Sequence, residues 1–212
     1  MQVRYSMPLR SLVVSLLVLS APTTAAAGIP SAANSTVPNR LVACPAGDVS
    51  FRVVVRDIGD FPVASSAVTI DLTACPGVAL CPIQRPEVTY DSGAHRLSMF
   101  TDANGVADFR LKLGGVCPAG VELWADGYYR LTYLPIPVAS PDQNADLLVS
   151  SADVVIASAL LNTHDTGADL DCDGTVTEAD LAWINDLHGG HSCDNVVPAR
   201  TATWGSVKIR YR

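Results

Sequence analysis

Acidic side chains recur at a fixed spacing toward the carboxyl end of the sequence. In residues 169–180, aspartates occupy loop positions one, three, five and twelve, glycine occupies position six and valine position eight. Calcium needs this spacing, because alternate residues of a tight loop direct oxygens inward and the seventh adds a backbone carbonyl. The alternative is an acidic helix N-terminus, in which Thr177 caps the helix while Glu178 and Asp180 favour its dipole. Four fixed aspartates together with the glycine favour the calcium interpretation.

The same pattern recurs 27 residues earlier in the sequence. Residues 142–153 place oxygen-bearing side chains at positions one, three, five and twelve and valine at position eight, with Leu147 at position six. Val149 aligns with Val176, and the Ala-Asp pair that ends each loop aligns as well. A duplicated unit explains this match better than two independent coincidences.

Helical periodicity follows each loop and precedes neither. Apolar residues recur at intervals of three and four over 154–161 and 181–187. Pro141 and the prolines just before it exclude a helix ahead of the first loop, and residues 163–168 have the composition of a turn. Each unit is therefore predicted to be a loop followed by one helix, which is half of an EF-hand.

Two tandem loop–helix units near the end of an exported chain resemble a dockerin domain, the type I form in particular. The resemblance covers residues 141–193 and implies two Ca²⁺ sites, the 169–180 loop being the stronger because of its extra carboxylate and Gly174. It also implies docking to a cohesin-like or other extracellular or cell-surface protein. The implied ligands are Asp142, Asn144, Asp146, Leu148 and Asp153 in the first loop and Asp169, Asp171, Asp173, Thr175 and Asp180 in the second, Leu148 and Thr175 through backbone carbonyls.

The residues that read the partner follow the ninth loop position in dockerins. Cellulosomal forms often have Ser-Thr there in both repeats, whereas this chain has Ser151-Ala152 and Glu178-Ala179. The resemblance makes these four residues the candidates for partner contact. Their departure from the Ser-Thr pattern argues against a cellulosomal cohesin.

Residues 1–27 have the pattern of a secretory signal peptide. Arg4 and Arg10 precede an apolar stretch shorter than the roughly 20 residues of a membrane helix, and an alanine-rich cleavage site follows. We therefore expect a protein that is secreted or displayed at the cell surface, with no membrane span in the mature chain. Residues 28–43 are rich in Ser, Ala, Asn and Pro, which predicts a flexible leader.

Residues 44–138 have the pattern of short β-strands. Alternating or β-branched runs are separated by glycine-containing turns, which indicates a sandwich, and Asn104-Gly105 predicts a hairpin. The segments 101–109 and 56–68 resemble parts of bacterial Ig-like and carboxypeptidase-regulatory-like domains. That resemblance implies an Ig-like sandwich that serves as a spacer or adhesive module. The predicted fold class is a mainly β sandwich followed by a small α module of two loop–helix units.

Six cysteines in an exported chain predict three disulfides and no free thiol. We expect Cys172–Cys193, since this pair brackets the second loop and helix. Sequence alone permits three pairings of the other four cysteines. A local Cys75–Cys81 bridge across a Pro-Gly loop, which leaves Cys44–Cys117, is the one we predict.

The charge balance excludes some classes of function. The net charge of −7 becomes −9 without the two arginines of the signal peptide, which argues against a nucleic-acid partner. No lysine or arginine occurs between Leu131 and Ala199, where 11 of the 21 carboxylates lie. We therefore expect the carboxylates within each metal-free loop to repel one another. No nucleophile elbow, His-Glu-x-x-His or phosphate loop occurs, so we expect no enzymatic activity.

These patterns together predict a secreted, non-catalytic calcium-binding protein that docks to an extracellular partner. The alternatives are a structural or adhesive surface protein in which calcium only stiffens the last module, or an accessory protein of polysaccharide degradation. Residues 194–212 form a basic tail in which apolar and basic residues alternate. This alternation predicts an edge strand or a docking tail.

Overall fold

The structure is a computed structural model that describes residues 28–188 and 191–193. The predicted signal peptide and the basic tail 194–212 lie outside the described residues. The fold is mainly β, with two short helices at its carboxyl end. The strands are β1 (Leu41–Val42), β2 (Phe51–Val54), β3 (Ala67–Asp71), β4 (Ala79–Leu80), β5 (Thr89–Asp91), β6 (Arg96–Phe100), β7 (Val106–Phe109), β8 (Leu113–Gly114), β9 (Cys117–Ala125), β10 (Tyr129–Arg130) and β11 (Ile136–Ala139), and the helices are α1 (Ser151–Ser158) and α2 (Glu178–Leu187).

The largest sheet has the strand order β1-β11-β9-β3-β6-β5, and β10 pairs with β9 beside it. All its neighbours are antiparallel except β1 and β11, which run parallel. Side chains alternate between the two faces as the sequence pattern requires: Val68 and Ile70 of β3 are fully buried, whereas Thr69 and Asp71 are only partly so. One face of the sheet therefore supplies half of a hydrophobic core.

A second, two-stranded sheet of β2 and β7 supplies the other half of this core. Phe51 lies opposite Phe109 in its register, and both rings are buried with their centroids 6.4 Å apart. The buried residues of both sheets belong to one core cluster. The two sheets thus share one core, and the mainly β fold that the strand periodicity predicted is confirmed.

The predicted hairpin at Asn104-Gly105 is a turn between the two sheets. The turn closes, since the Asp102 amide donates to the Val106 carbonyl at 2.9 Å, but β6 pairs with β3 and β5 while β7 pairs with β2. Gly105 has φ +74°, and a Cβ there would lie 2.4 Å from the Val55 carbonyl oxygen. The turn at Asn104-Gly105 was predicted correctly. The prediction that its two flanking strands pair with each other was wrong, because strand pairing depends on the core and not on the local turn.

The segment 28–43, predicted to be a flexible leader, is built into the fold. Ser31 donates to the Arg56 carbonyl at 2.8 Å, and Thr36 exchanges two 2.8 Å backbone bonds with Val54. Leu41 is fully buried in β1, which pairs with β11. The prediction was wrong because polar composition does not reveal that these residues complete the edges of two sheets.

The predicted disulfide pairing is also wrong. The bridges are Cys75–Cys117 and Cys81–Cys193, and both Cys44 and Cys172 are free thiols. Cys75 and Cys81 are drawn apart because β4 begins between them and pairs with β8. The long-range pair meets beside Lys112, whose carbonyl accepts from the Cys81 amide at 3.0 Å and whose ammonium donates to the Cys193 carbonyl at 2.8 Å.

The second core cluster lies between the two helices and the end of the sandwich. Ile184 of α2 and Ala157 of α1 are buried in it, together with Cys44 and Ala139 from the β part. The loop–helix units therefore pack on the β part, and Cys81–Cys193 joins the two covalently. None of the helices among residues 28–188 is long and apolar enough to cross a membrane.

Candidate metal centre

The two acidic loops have the same hydrogen-bond pattern, displaced by 27 residues. In the first loop the Leu147 amide donates to Asp142 Oδ2 at 2.8 Å; in the second the Gly174 amide donates to Asp169 Oδ2 at 3.0 Å. Equivalent bonds link positions three and five, five and seven, and two and three to twelve in both loops. The duplication predicted from sequence is therefore present in the geometry of the backbone.

Aspartates at position twelve hold each loop closed and begin the following helix. Asp180 is fully buried; its Oδ1 accepts from the Leu170 and Asp171 amides, and its Oδ2 accepts from the amide and hydroxyl of Thr177. Asp153 accepts the equivalent four hydrogen bonds in the first loop. Thr177 and Ser150 are N-caps with complete capping boxes, so the capping interpretation is correct alongside the loop geometry.

Aspartates at position one leave a buried oxygen without a partner in both loops. Asp142 and Asp169 are buried at 0% and 1% exposure, and each uses Oδ2 for the amide at position six. The Oδ1 atoms of both carboxylates have no hydrogen-bond partner, although each is buried. A buried unpaired oxygen costs roughly 1–3 kcal/mol, more when it is charged, unless a cation supplies the missing interaction.

Two further aspartates of the second loop lie close to Asp169. Asp169, Asp171 and Asp173 each present a carboxylate oxygen, and the three lie within 4.8 Å of one another. Asp171 and Asp173 are exposed at the mouth of the loop, as Asn144 and Asp146 are in the first. Three carboxylate oxygens this close together could hold a metal ion, and oxygen donors are the ligands that hard cations prefer.

Electrostatics differ between the two position-one aspartates. Burial raises the pKa of Asp142 to about 6, and the carboxylates of Asp153 and Asp146 add to the rise. Burial also acts on Asp169, but the hydrogen bond and charge of Arg40 outweigh it and hold the pKa of that carboxyl below its usual value. The expectation that neither loop has a basic neighbour was wrong for the second loop. Arg40 contacts that loop in the fold although it lies 129 residues away in sequence.

Positions four and six of both loops have left-handed backbone. Position four is Ala145 (φ 63°) in the first loop and Cys172 (φ 64°) in the second. Position six is Leu147 (φ 65°) or Gly174 (φ 98°). A non-glycine residue in this region carries a steric cost of about 1–2 kcal/mol, so Leu147 strains the first loop where Gly174 relaxes the second.

Replacing Leu147 with glycine should remove that strain. We expect Leu147→Gly to raise the metal-free free energy of unfolding by about 1 kcal/mol, since part of the relief is offset by greater freedom of the unfolded chain. Chemical unfolding in the presence of chelator measures it. Gly174→Leu is the matched reverse change and should destabilise; a loss of stability in Leu147→Gly would show that Leu147 packing outweighs its backbone strain.

The two units interlock through the segments that follow their helices. Val149 and Val176, at position eight, are fully buried in the shared core. The segment after α1 pairs with the second loop through Asn162 and Val176, and the segment after α2 pairs with the first through His191 and Val149. Because each loop is closed by the other unit, order in one loop is coupled to order in the other.

The candidates for partner contact are all accessible. Ser151, Ala152, Glu178 and Ala179 are exposed on the first turns of α1 and α2. Sequence reasoning missed two exposed apolar residues of α1, Val155 (68% exposed) and Ile156 (38% exposed). The signal was their place away from Ala157, which is the buried apolar residue of that helix.

Comparisons with protein-family models, with curated proteins and with solved structures gave no match to this chain. The site must therefore be interpreted from its own chemistry.

Proposed function

We propose that this is an exported, non-catalytic protein whose residues 141–193 bind two calcium ions in a dockerin-like module and dock an extracellular protein. The observation that carries the proposal is the pair of buried, unpartnered Oδ1 atoms at Asp142 and Asp169. Because the equivalent carboxylate oxygen lacks a partner in both loops, we infer that each loop binds the same kind of ligand. The neighbouring carboxylates favour a cation as that ligand. The other residues of each loop supply the oxygens and carbonyls that calcium coordinates.

The proposal assigns the two-layer β part to an Ig-like sandwich that serves as a spacer. Support comes from the packing of the β2–β7 sheet on the larger one over a common core. Export is supported by the two disulfides, which persist in oxidising compartments. The sandwich also positions the module: a Cβ on Gly114 of β8 would lie 1.8 Å from Asp142 Oδ2, so the strand backbone lies directly against the first loop.

The proposed docking surface is the exposed side of α1. Val155 and Ile156 give it an apolar centre, and Ser151 gives it a polar edge, while Glu178 and Ala179 on the first turn of α2 are further candidates for contact. Interfaces commonly combine an apolar centre with a polar rim. Since α1 begins at the last residues of the first loop, calcium would fix the orientation of this surface.

Affinity capture from the native secretome tests the docking function. We expect the mature chain to retain a partner in calcium and release it in chelator, and Val155→Asp to abolish retention. Ile58→Asp is the matched control, because Ile58 is 88% exposed and belongs to the β part, between β2 and β3 in the chain. Calcium binding without any calcium-dependent capture would instead favour the structural alternative, in which the ions only stiffen the module.

A second candidate function, contact with a polysaccharide, is favoured by a cleft on the outer face of the large sheet. The cleft has a volume of about 540 Å³ and is lined by Trp124, Thr69 and Ser98 with the charged residues Asp71, Asp91, Arg96 and Glu122. Arg96 pairs with Asp71 at 2.8 Å and Arg130 with Glu122 at 2.6 Å, so the charges are largely balanced. An indole beside hydroxyls and paired charges suits a neutral sugar chain, and Trp124→Ala should abolish binding to neutral oligosaccharides.

A further inference from the structure

Arg40 reaches from the amino-terminal segment to the first ligand position of the second loop. Its Nη1 lies 2.6 Å from both Asp169 Oδ2 and the Asp169 backbone carbonyl oxygen. The pair is largely withdrawn from solvent, with side-chain exposures of 13% for Arg40 and 2% for Asp169. The guanidinium pairs with Oδ2, and Oδ1 of the same carboxylate has no hydrogen-bond partner.

The first loop differs in this respect within the part of the chain that the structure describes. Its buried acid Asp142 meets the backbone directly after β8, where the Gly115 amide donates to the Asp142 carbonyl at 2.7 Å. Among the described residues, no lysine or arginine forms an ion pair with Asp142, Asp146 or Asp153. The two loops therefore have the same internal hydrogen bonds but differ in this one charge.

We infer that Arg40 is a resident counter-cation that sets the calcium affinity of the second loop and holds that loop ordered without metal. This inference rests on the proposed calcium function. An arginine stays charged at all physiological pH values, so its charge remains in place whether or not calcium is bound. It replaces part of the attraction that metal would supply, and it repels an incoming divalent ion.

The counter-cation changes the comparison between the two sites. The ligand positions of the second loop have four carboxylates against three in the first, but Arg40 reduces the net charge of this ligand set from −4 to −3, equal to that of the first. The greater affinity expected from the fourth carboxylate is therefore cancelled by a residue outside the module. The remaining reason to expect higher calcium affinity in the second loop is Gly174, which stands where the first loop has the strained Leu147.

The location of Arg40 also connects the loop to the sandwich. Arg40 directly precedes β1, whose residues Leu41 and Val42 pair with Val138 and Ala139 of β11. The guanidinium is thereby held on a strand of the large sheet and not on a mobile chain end. An arginine positioned in this way acts as a positioning residue for Asp169, with Oδ1 left to face a metal.

The test is calcium titration by calorimetry on the full mature chain, comparing wild type with Arg40→Gln and Arg40→Lys. Arg40→Gln should bind calcium about tenfold more tightly at the second loop, because repulsion of a divalent ion is removed, and should melt at lower temperature in chelator. Arg40→Lys keeps the charge and should stay within about threefold of wild type. Asp171→Ala in each background assigns the affected step to the second loop.

Arg96→Gln is the control, since Arg96 pairs with Asp71 on the outer face of the sandwich and should leave both calcium affinities unchanged. Unchanged or weaker binding in Arg40→Gln would overturn the counter-cation role, because a residue that only supports structure would lower affinity. If Arg40→Gln does not fold, a large loss of affinity in Arg40→Lys would overturn it equally. Absence of calcium binding in wild type would overturn the proposed function itself.

Discussion

Replacing Cys81 and Cys193 together by serine is expected to lower the free energy of unfolding by about 4–5 kcal/mol. The bridge joins residues 112 apart in sequence, and closing a loop of that length restricts the unfolded chain strongly in the chain-entropy account. It is also the covalent connection between the sandwich and the segment that closes the first loop, where His191 pairs with Val149. Urea unfolding under non-reducing conditions measures the loss.

Cys172→Ser is the matched control for the disulfide prediction. Cys172 is an exposed free thiol at position four of the second loop, so the change should alter stability by less than about 0.5 kcal/mol. Peptide mapping of the non-reduced protein gives a direct check: a Cys81–Cys193 linked peptide is expected. A Cys172–Cys193 peptide, or a strong effect of Cys172→Ser, would contradict the pairing in the structure.

Asp180→Ala is expected to destabilise the metal-free protein by roughly 3–5 kcal/mol. Three backbone amides and the Thr177 hydroxyl donate to this carboxylate, and the substitution leaves those donors unpaired in a buried place. The α2 N-terminus would lose its capping box at the same time. The loss should be seen in chelator, because it arises from hydrogen bonds and not from metal.

Asp173→Ala separates this structural role from metal binding. Asp173 is exposed, and its carboxylate accepts one backbone bond, from the Thr175 amide at 2.8 Å. We expect it to cost less than about 1.5 kcal/mol in chelator and to weaken calcium binding. Equal destabilisation by the two variants in chelator would show that position twelve does not hold the loop closed.

The hydrogen-bonded geometry of the two acidic loops was predictable because its determinants are local. Each turn is encoded by residues a few positions apart, such as Gly174 at the left-handed position and Thr177 at the N-cap. The duplication gave a second, independent copy of the same signal. The two helices follow directly from these caps and from apolar residues at helical spacing.

What could not be predicted depends on contacts distant in sequence. Cys81 meets Cys193 because the β4–β8 pairing and Lys112 bring them together, and no spacing rule contains that information. The order of residues 28–43 depends on partners that lie 18 residues later in the sequence, as Val54 does from Thr36, to 97 residues later, as Val138 does from Leu41. The contact between Arg40 and the second loop could not be predicted for the same reason. Local composition shows the acidic residues of the loop but not a cation that is distant in sequence and close to them in the fold.

Calcium titration of the full mature chain tests the central claim most directly. We expect two ions per chain, with Asp171→Ala removing the second-loop step and Asp146→Ala removing the first-loop step. Both residues are exposed ligand candidates, so each variant should keep the fold while losing one site. Wild-type protein that takes up no calcium at millimolar concentrations, or that binds two ions unchanged in both variants, would contradict the account.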